Sequence, residues 1–310
     1  MRILLLGANG QLGYALHRSL VGLGDIIAAT RSGQLRGSRE PCEVANLEQP
    51  RQLEALVERT APDVVVNAAA YTAVDRAESD SETAHSVNAE AVCVLAGACA
   101  ARNTLLLHYS TDYVFSGDSD RPWREGDPTG PLGVYGASKL AGEDAIRASG
   151  CRHMILRTAW LYGPRGKNFL TTMLRLAAER EELQVVADQV GSPTPAAWVA
   201  QASALLLSRA KGKPSGTWHV AADGEASWSQ LAEAIFTDAV QAGLLARAPR
   251  LTGIPASEYP TPARRPRYSR LDTSRLASDF GITLPDWRQG VAQVVEDLAE
   301  AKRFGTSRTD

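Results

Sequence analysis

Apolar residues in the first half of the chain come in short runs separated by amphipathic stretches. The runs Ile3–Leu6, Ile26–Ala29, Val64–Asn67, Leu105–Ser110 and Met154–Arg157 are nearly continuous rather than alternating. That is the pattern of parallel strands covered on both faces. Between them, apolar positions recur at helical spacing over Gln11–Leu20, Gln52–Arg59, Ala84–Arg102 and Val134–Ala148. Regular strand–helix alternation predicts an α/β fold, a Rossmann-like doubly wound parallel sheet.

The texture changes after about Gly163. Phe169–Arg180, Trp228–Gly243 and Trp287–Arg303 read as helices, and prolines and glycines become frequent, as in GSPTP at 191–195 and YPTPARRP at 259–266. We expect a dinucleotide-binding domain over 1–165 and a smaller substrate-binding lobe over 166–310, with some of its segments returning to the sheet. The final GTSRTD reads as a frayed tail.

Charge narrows the partners. Lys and Arg number 33 against 35 Asp and Glu, a net charge of −2, whereas a general nucleic-acid binder carries a basic excess. Hydrophobic content of 44% with 22% charged residues excludes wholesale disorder. Cys42, Cys93, Cys99 and Cys151 form no CxxC pair and read as structural free thiols, with Cys93 and Cys99 as small buried hydrophobes in the run AVCVLAGACA. The N-terminus lacks the form of a signal peptide, and no run of 18 apolar residues stands out. A cytoplasmic protein that engages neither membrane nor nucleic acid is expected.

Gly7-Ala-Asn-Gly10-Gln-Leu-Gly13 follows the first strand and opens a helix. In that context Gly7 permits the tight turn, Gly10 lets backbone approach a pyrophosphate, and Gly13 allows helix and strand to pack closely. The helix N-terminus offers free N–H groups to phosphates. Asn9, Gln11 and Leu12 share the turn and are placed with the glycines at the cofactor. The spacing is GxxGxxG rather than GxGxxG, and in this it resembles the extended branch of the short-chain dehydrogenases. Cofactor type turns on the end of the second strand, where an acidic residue would bind an unphosphorylated ribose. Residues 26–39 contain no carboxylate. Arg31 and Ser32, with Arg36 or Arg39 nearby, suit a 2′-phosphate instead, so NADPH is the expected cofactor and NADH a possible one.

Tyr135-Gly-Ala-Ser-Lys139 is a YxxxK motif on a helical pattern, which puts phenol and ammonium on one face. A free phenol titrates near 10; a nearby ammonium lowers it toward a useful range. The motif lies 24 residues after Thr111, at the end of the fourth apolar run, where α/β sheets place ligand-binding groups. Either Ser110 or Thr111 is positioned to hold a carbonyl beside the phenol, but adjacent strand residues face opposite ways, and spacing alone does not choose. Asn67-Ala-Ala-Ala-Tyr71 ends the third run; small Ala68 and Ala69 leave room for a ribose, with Tyr71 beside it.

Together these segments resemble the dTDP-4-dehydrorhamnose reductase family of extended short-chain dehydrogenase/reductases. The marks are GANGQLG (7–13), PDVVVNAAAYTAVDRAE (62–78), HYSTDYVFSG (108–117), VYGASKLAGE (134–143), RTAWLYG (157–163), KNF (167–169), DQVGSPT (188–194) and YPTPARRPRYSRLD (259–272). The resemblance implies reduction of a dTDP-linked 4-keto-6-deoxyhexose, the last step toward dTDP-L-rhamnose, with hydride to C4 and a proton from Tyr135 to O4. It selects Thr111 as the hydroxyl on that oxygen and Lys139 as the residue that tunes Tyr135 and bonds the nicotinamide ribose. It implies a substrate set of Thr111, Asp112, Tyr113, Trp160, Asn168 and Arg265, with Tyr113 and Trp160 flanking the sugar. Asn168 and Arg265, together with Gln189 and Arg264, are the weaker candidates, at the nucleotide end. Some members of the family dimerise around Mg²⁺ held by surface glutamates. The corresponding places here hold Ala15, Ala197 and Arg288, which cannot ligate a hard cation. A monomer or weak homodimer without bridging metal is therefore expected. The rivals are another nucleotide-sugar ketoreductase, an epimerase or dehydratase of the same superfamily, and a non-catalytic subunit on the same fold. Against dehydratases, which carry an Asp-Glu pair after the threonine, Asp112 is followed here by Tyr113.

Overall fold

Seven strands form the central sheet: β1 (Arg2–Leu6), β2 (Asp25–Thr30), β3 (Glu43–Val44), β4 (Val64–Asn67), β5 (Leu105–Thr111), β6 (His153–Thr158) and β7 (Gly216–His219). All neighbours pair in parallel, in the spatial order β7-β6-β5-β4-β1-β2-β3. The chain is described from a computed structural model that covers residues 1–38, 41–210 and 215–305. Arg39 and nearly all of the expected terminal tail lie outside the described residues.

The near-continuous apolar runs have a direct cause. In β1, Ile3 and Leu5 pack into one hydrophobic layer while Leu4 and Leu6 pack into the other, because successive strand residues face opposite sides. The first layer is covered by α1 (Gln11–Ser19) through Leu12 and Leu16. The second is covered by α2 (Arg51–Thr60), by the helical run Ser81–Ala101 (α3) and by α4 (Val134–Ala148). The direction of winding reverses between β1 and β4, and crevices at such a switch point are where open α/β sheets bind ligands.

Helix α3 corrects two expectations. By length and composition it could cross a membrane, contrary to the reading that no such run exists; half of its apolar window is buried here, with Val92, Leu95, Ala96 and Cys99 in the second layer. Cys93 is exposed on the same helix rather than buried. A π-turn at Ser86–Glu90 interrupts α3, a feature that often accompanies functional sites.

The later part of the chain adds α5 (Phe169–Glu179), α6 (Ala196–Arg209), α7 (Trp228–Gln241), α8 (Ser274–Phe280) and α9 (Trp287–Arg303). The sequence reading misses α6, whose apolar residues spread around the helix instead of forming a stripe. It packs into the first layer through Val199, Leu206 and Leu207. Short two-stranded ladders join Glu182–Val186 to Arg250–Ile254, Leu161–Tyr162 to Thr194–Pro195, and Val190–Gly191 to Ala226–Ser227.

Candidate functional site

The turn after β1 is shaped by what a side chain would hit. Gly7 has φ +76°, and a Cβ there would lie 2.8 Å from the Ala69 nitrogen. A Cβ on Gly13 would lie 2.0 Å from the Gly7 carbonyl oxygen. Gly7 N–H donates to Ala29 O at 3.0 Å and Gly10 N–H to Gly7 O at 2.8 Å, which draws the turn tight. Gly10 caps α1 without a side-chain bond, so first-turn N–H groups are left to face a ligand.

This turn forms one end of a cavity of about 1170 Å³ that runs along the carboxyl ends of β1, β4 and β5 to α4. Gly7, Asn9, Gly10, Gln11 and Leu12 line it; Gly13 does not, serving instead as the packing glycine beneath. The volume exceeds that of an ordinary single-ligand pocket, and the uncapped N-terminus of α1 at its edge suits a pyrophosphate. Asn9 braces the rim: its Nδ2 donates to Gln34 O at 2.8 Å, and its Oδ1 accepts from Arg36 N at 2.8 Å. Arg31 and Ser32 border the same end. The Arg31 side chain is 80% exposed, with Glu48 3.9 Å away. It stays available for an anion.

At the other end, Tyr135 and Lys139 project from α4 into the cavity, one helical turn apart. The Tyr113 and Tyr135 rings meet edge to face, with centroids 5.6 Å apart. Thr111 ends β5; its hydroxyl donates to Asp112 Oδ1 at 3.1 Å and accepts from Tyr113 N at 3.2 Å, capping the short turn Asp112–Val114. Ser110, on the alternate face, lies against the Glu143 carboxylate. Burial pushes the Tyr135 phenol up to about 12, partly offset by Thr111. This differs from the expectation that Lys139 draws the phenol down. The lysine is engaged elsewhere, its Nζ 3.2 Å from His108 Nε2, and burial pushes it down to about 8 against the pull of Glu143. Asp112, also buried, is pushed up to about 6.

Ala68, Ala69 and Tyr71 line the middle of the cavity. Tyr71 is fixed twice over. Its Oη donates to Asp80 at 3.0 Å, and its backbone N–H donates to Asn88 Oδ1 at 2.9 Å. Asn88 sits in the π-turn and also donates to Ser138 Oγ at 3.0 Å, tying the Tyr71 loop to the helix of Tyr135.

Trp160 borders the cavity in a left-handed backbone conformation, φ +45°. Its indole lies flat on Trp228, with centroids 3.4 Å apart and planes 1° from parallel. Trp228 also lines the cavity, and the sequence reading misses this residue. A serine–glutamine capping box marks its helix start but not the direction of its ring. Asn168 lines the cavity, yet its amide is occupied: Nδ2 donates to Gln11 Oε1 at 2.7 Å and to Gly163 O at 2.8 Å, while Oδ1 caps α5. Arg265 is not among the side chains that border the cavity, but it stands directly against one that is, Tyr113. Its guanidinium donates to Asp75 Oδ2 at 2.8 Å and to Thr261, docking the proline-rich loop on the segment after Tyr71. Arg264 is exposed.

Comparison with known proteins agrees with this geometry. The family model for the RmlD substrate binding domain matches residues 1–300. The dTDP-4-dehydrorhamnose reductase of Burkholderia thailandensis is 48% identical over 306 residues, covering 96% of this chain and 99% of the relative. The crystal structure of a dTDP-4-dehydrorhamnose reductase from Clostridium acetobutylicum superposes with a TM-score of 0.86 at 32% identity, covering 96% of this chain and 99% of that one. The Bacillus anthracis dTDP-4-dehydrorhamnose reductase, solved in complex with NADP, gives 0.85 at 32% identity with the same coverage.

Proposed function

The chain belongs to the RmlD substrate binding domain family, and we propose that it reduces dTDP-4-dehydro-β-L-rhamnose to dTDP-L-rhamnose with NADPH. The observation that carries this reading is one continuous cavity with a glycine cradle at one end and Thr111, Tyr135 and Lys139 at the other. NADPH, when bound, supplies the hydride that reaches sugar C4. The chain's residues do the rest. The Gly7–Gly13 turn holds the pyrophosphate on the α1 N-terminus, while Arg31 and Ser32 take the 2′-phosphate. Thr111 turns its hydroxyl proton from Asp112 to the sugar O4 and aligns that oxygen with Tyr135. With its pKa near 12, the phenol reaches that oxygen protonated and gives up its proton only as negative charge develops there. Lys139 then faces the phenolate across one helical turn. Tyr113 on one side and the Trp160–Trp228 stack on the other offer apolar walls to a deoxysugar. A cytoplasmic setting and a monomer or weak homodimer without bridging Mg²⁺ complete the proposal.

Purified protein with the 4-keto sugar nucleotide should oxidise one NADPH per dTDP-L-rhamnose formed. Conversion without net NADPH loss would assign it to the epimerases or dehydratases instead. For the cofactor end, Arg31→Ala should raise KM for NADPH about tenfold, the loss of one charge-assisted contact, and leave NADH unchanged. An equal effect on both would remove Arg31 from the phosphate site.

A further inference from the structure

Behind Lys139 lies a hydrogen-bond chain whose direction is fixed from one end. Asn67, at the end of β4, is buried; its Oδ1 accepts from the Ala69 backbone N–H at 3.2 Å. That contact orients the amide, since the reverse orientation would set NH₂ against N–H. Asn67 Nδ2 therefore faces His108 Nδ1, 3.1 Å away across the β4–β5 register, and donates to it. His108 is fully buried, and burial holds it well below its ordinary value, so the ring is neutral. A neutral ring that accepts at Nδ1 carries its proton on Nε2. Nε2 is the atom 3.2 Å from Lys139 Nζ. An ammonium at that place would set donor against donor, whereas an amine lone pair accepts the bond.

We propose that at alkaline pH Ala69, Asn67 and His108 seat Lys139 as a neutral amine in the free protein, and that dinucleotide binding draws it off His108 as an ammonium. The Nζ lone pair takes one proton from solvent or buffer, and no other bond changes. His108 is then a positioning residue for the reaction. Lys139 borders the cavity, so its head can exchange imidazole for ribose hydroxyls, whose oxygens accept from an ammonium. Burial already brings the lysine down to about 8, so both forms are accessible. The groups around it are few. Tyr135 and Glu143 share α4, and Glu143 is itself bonded to Arg147 and to Arg157 of β6. His108 and Asp112 approach from β5 and the turn after it. On the α3 side Glu78 bonds the start of α4, and neutral Asn88 bonds Ser138.

The tautomer is independent of function; the proton uptake rests on the reductase reading. Histidine ¹⁵N spectra of the free protein near pH 9, with His108 assigned through its backbone, should show Nε2 protonated and Nδ1 bare. A protonated Nδ1 would overturn the inference. Calorimetry of NADPH binding in buffers of different ionisation heat should show uptake of about one proton near pH 9 and almost none near pH 6.5. Binding at pH 9 with no uptake would also overturn it. Failure of NADPH to bind would instead strike at the reductase reading and leave the tautomer result standing. In His108→Gln an amide oxygen can accept from the ammonium, so uptake at pH 9 should fall below about half a proton. Unchanged uptake would show that His108 does not position the lysine. If that variant fails to fold, the two wild-type measurements still decide.

Discussion

Arg157 and Glu143 form a two-point ion pair in the interior, beneath the helix that carries Tyr135 and Lys139. Arg157 Nε donates to Glu143 Oε1 at 2.9 Å and Nη2 donates to Oε2 at 2.7 Å. The two side chains are 2% and 0% exposed. Glu143 lies one turn beyond Lys139 on α4, and Arg157 stands on β6, so the pair fixes helix to sheet behind the site.

Removing one partner strands the other charge in the core. Arg157→Met should lower unfolding free energy by about 3–5 kcal/mol, and adding Glu143→Leu should restore much of it. Burial alone would raise the Glu143 carboxyl, but the arginine bonds outweigh it and hold it below its ordinary value of 4.5. A depressed carboxylate contributes stability that is intact above the unfolded value and lost as pH falls through the folded one. Denaturant titrations of the wild type should therefore show this contribution undiminished from pH 7 to 5 and fading below about 4.5. If the double variant proves weaker than Arg157→Met, the pair does more than compensate its own burial.

Gly13 should not tolerate a methyl group. Its Cβ would lie 2.0 Å from backbone, and relief of such overpacking typically costs about 1–3 kcal/mol. Gly13→Ala should lose both stability and NADPH affinity. Gly97→Ala is the control: it is on α3 with nothing within 4 Å of the added atom, and should gain up to about 1 kcal/mol. Thermal unfolding with and without NADPH separates the two effects.

Tyr135→Phe removes the proton and keeps the ring against Tyr113. Turnover should fall by about 10²- to 10⁴-fold, the usual contribution of a general acid, while NADPH binding followed by fluorescence changes little. A loss of less than about tenfold would move the proton donor elsewhere.

Trp228→Ala removes the plate under Trp160. The left-handed backbone at Trp160 is then held by fewer contacts, and such conformations cost of order 1–3 kcal/mol. KM for the sugar nucleotide should rise by about tenfold or more, with KM for NADPH unchanged. Equal increases in both would place the stack outside the sugar site.

Much of this architecture could be read from local pattern. The five apolar runs are β1, β2, β4, β5 and β6 to within a residue or two, because strands covered on both faces leave continuous apolar sequence. Val134–Ala148 and Trp287–Arg303 are helices at the stated ends, since each has an apolar stripe bounded by polar or glycine residues. Elements whose existence depends on distant partners left no such mark. The two-residue β3 and the four-residue β7 are strands only because β2 and β6 lie beside them. The same limit applies in the site. Tyr135 and Lys139 are four apart in sequence, so their proximity follows from helix geometry. Lys139 and His108, or Trp160 and Trp228, meet only through the fold, and nothing local marks Arg265 for Asp75.

The lateness of β7 has a consequence for synthesis. Once residue 158 has emerged, β6 can join the sheet, but the strand that covers its outer edge begins at Gly216. For the roughly 60 intervening residues, about 3–12 s at ordinary elongation rates, the nascent sheet presents an open edge bearing Met154, Ile155 and Leu156. Such an edge is a template for another chain. Slowing translation between residues 158 and 219 would lengthen that interval.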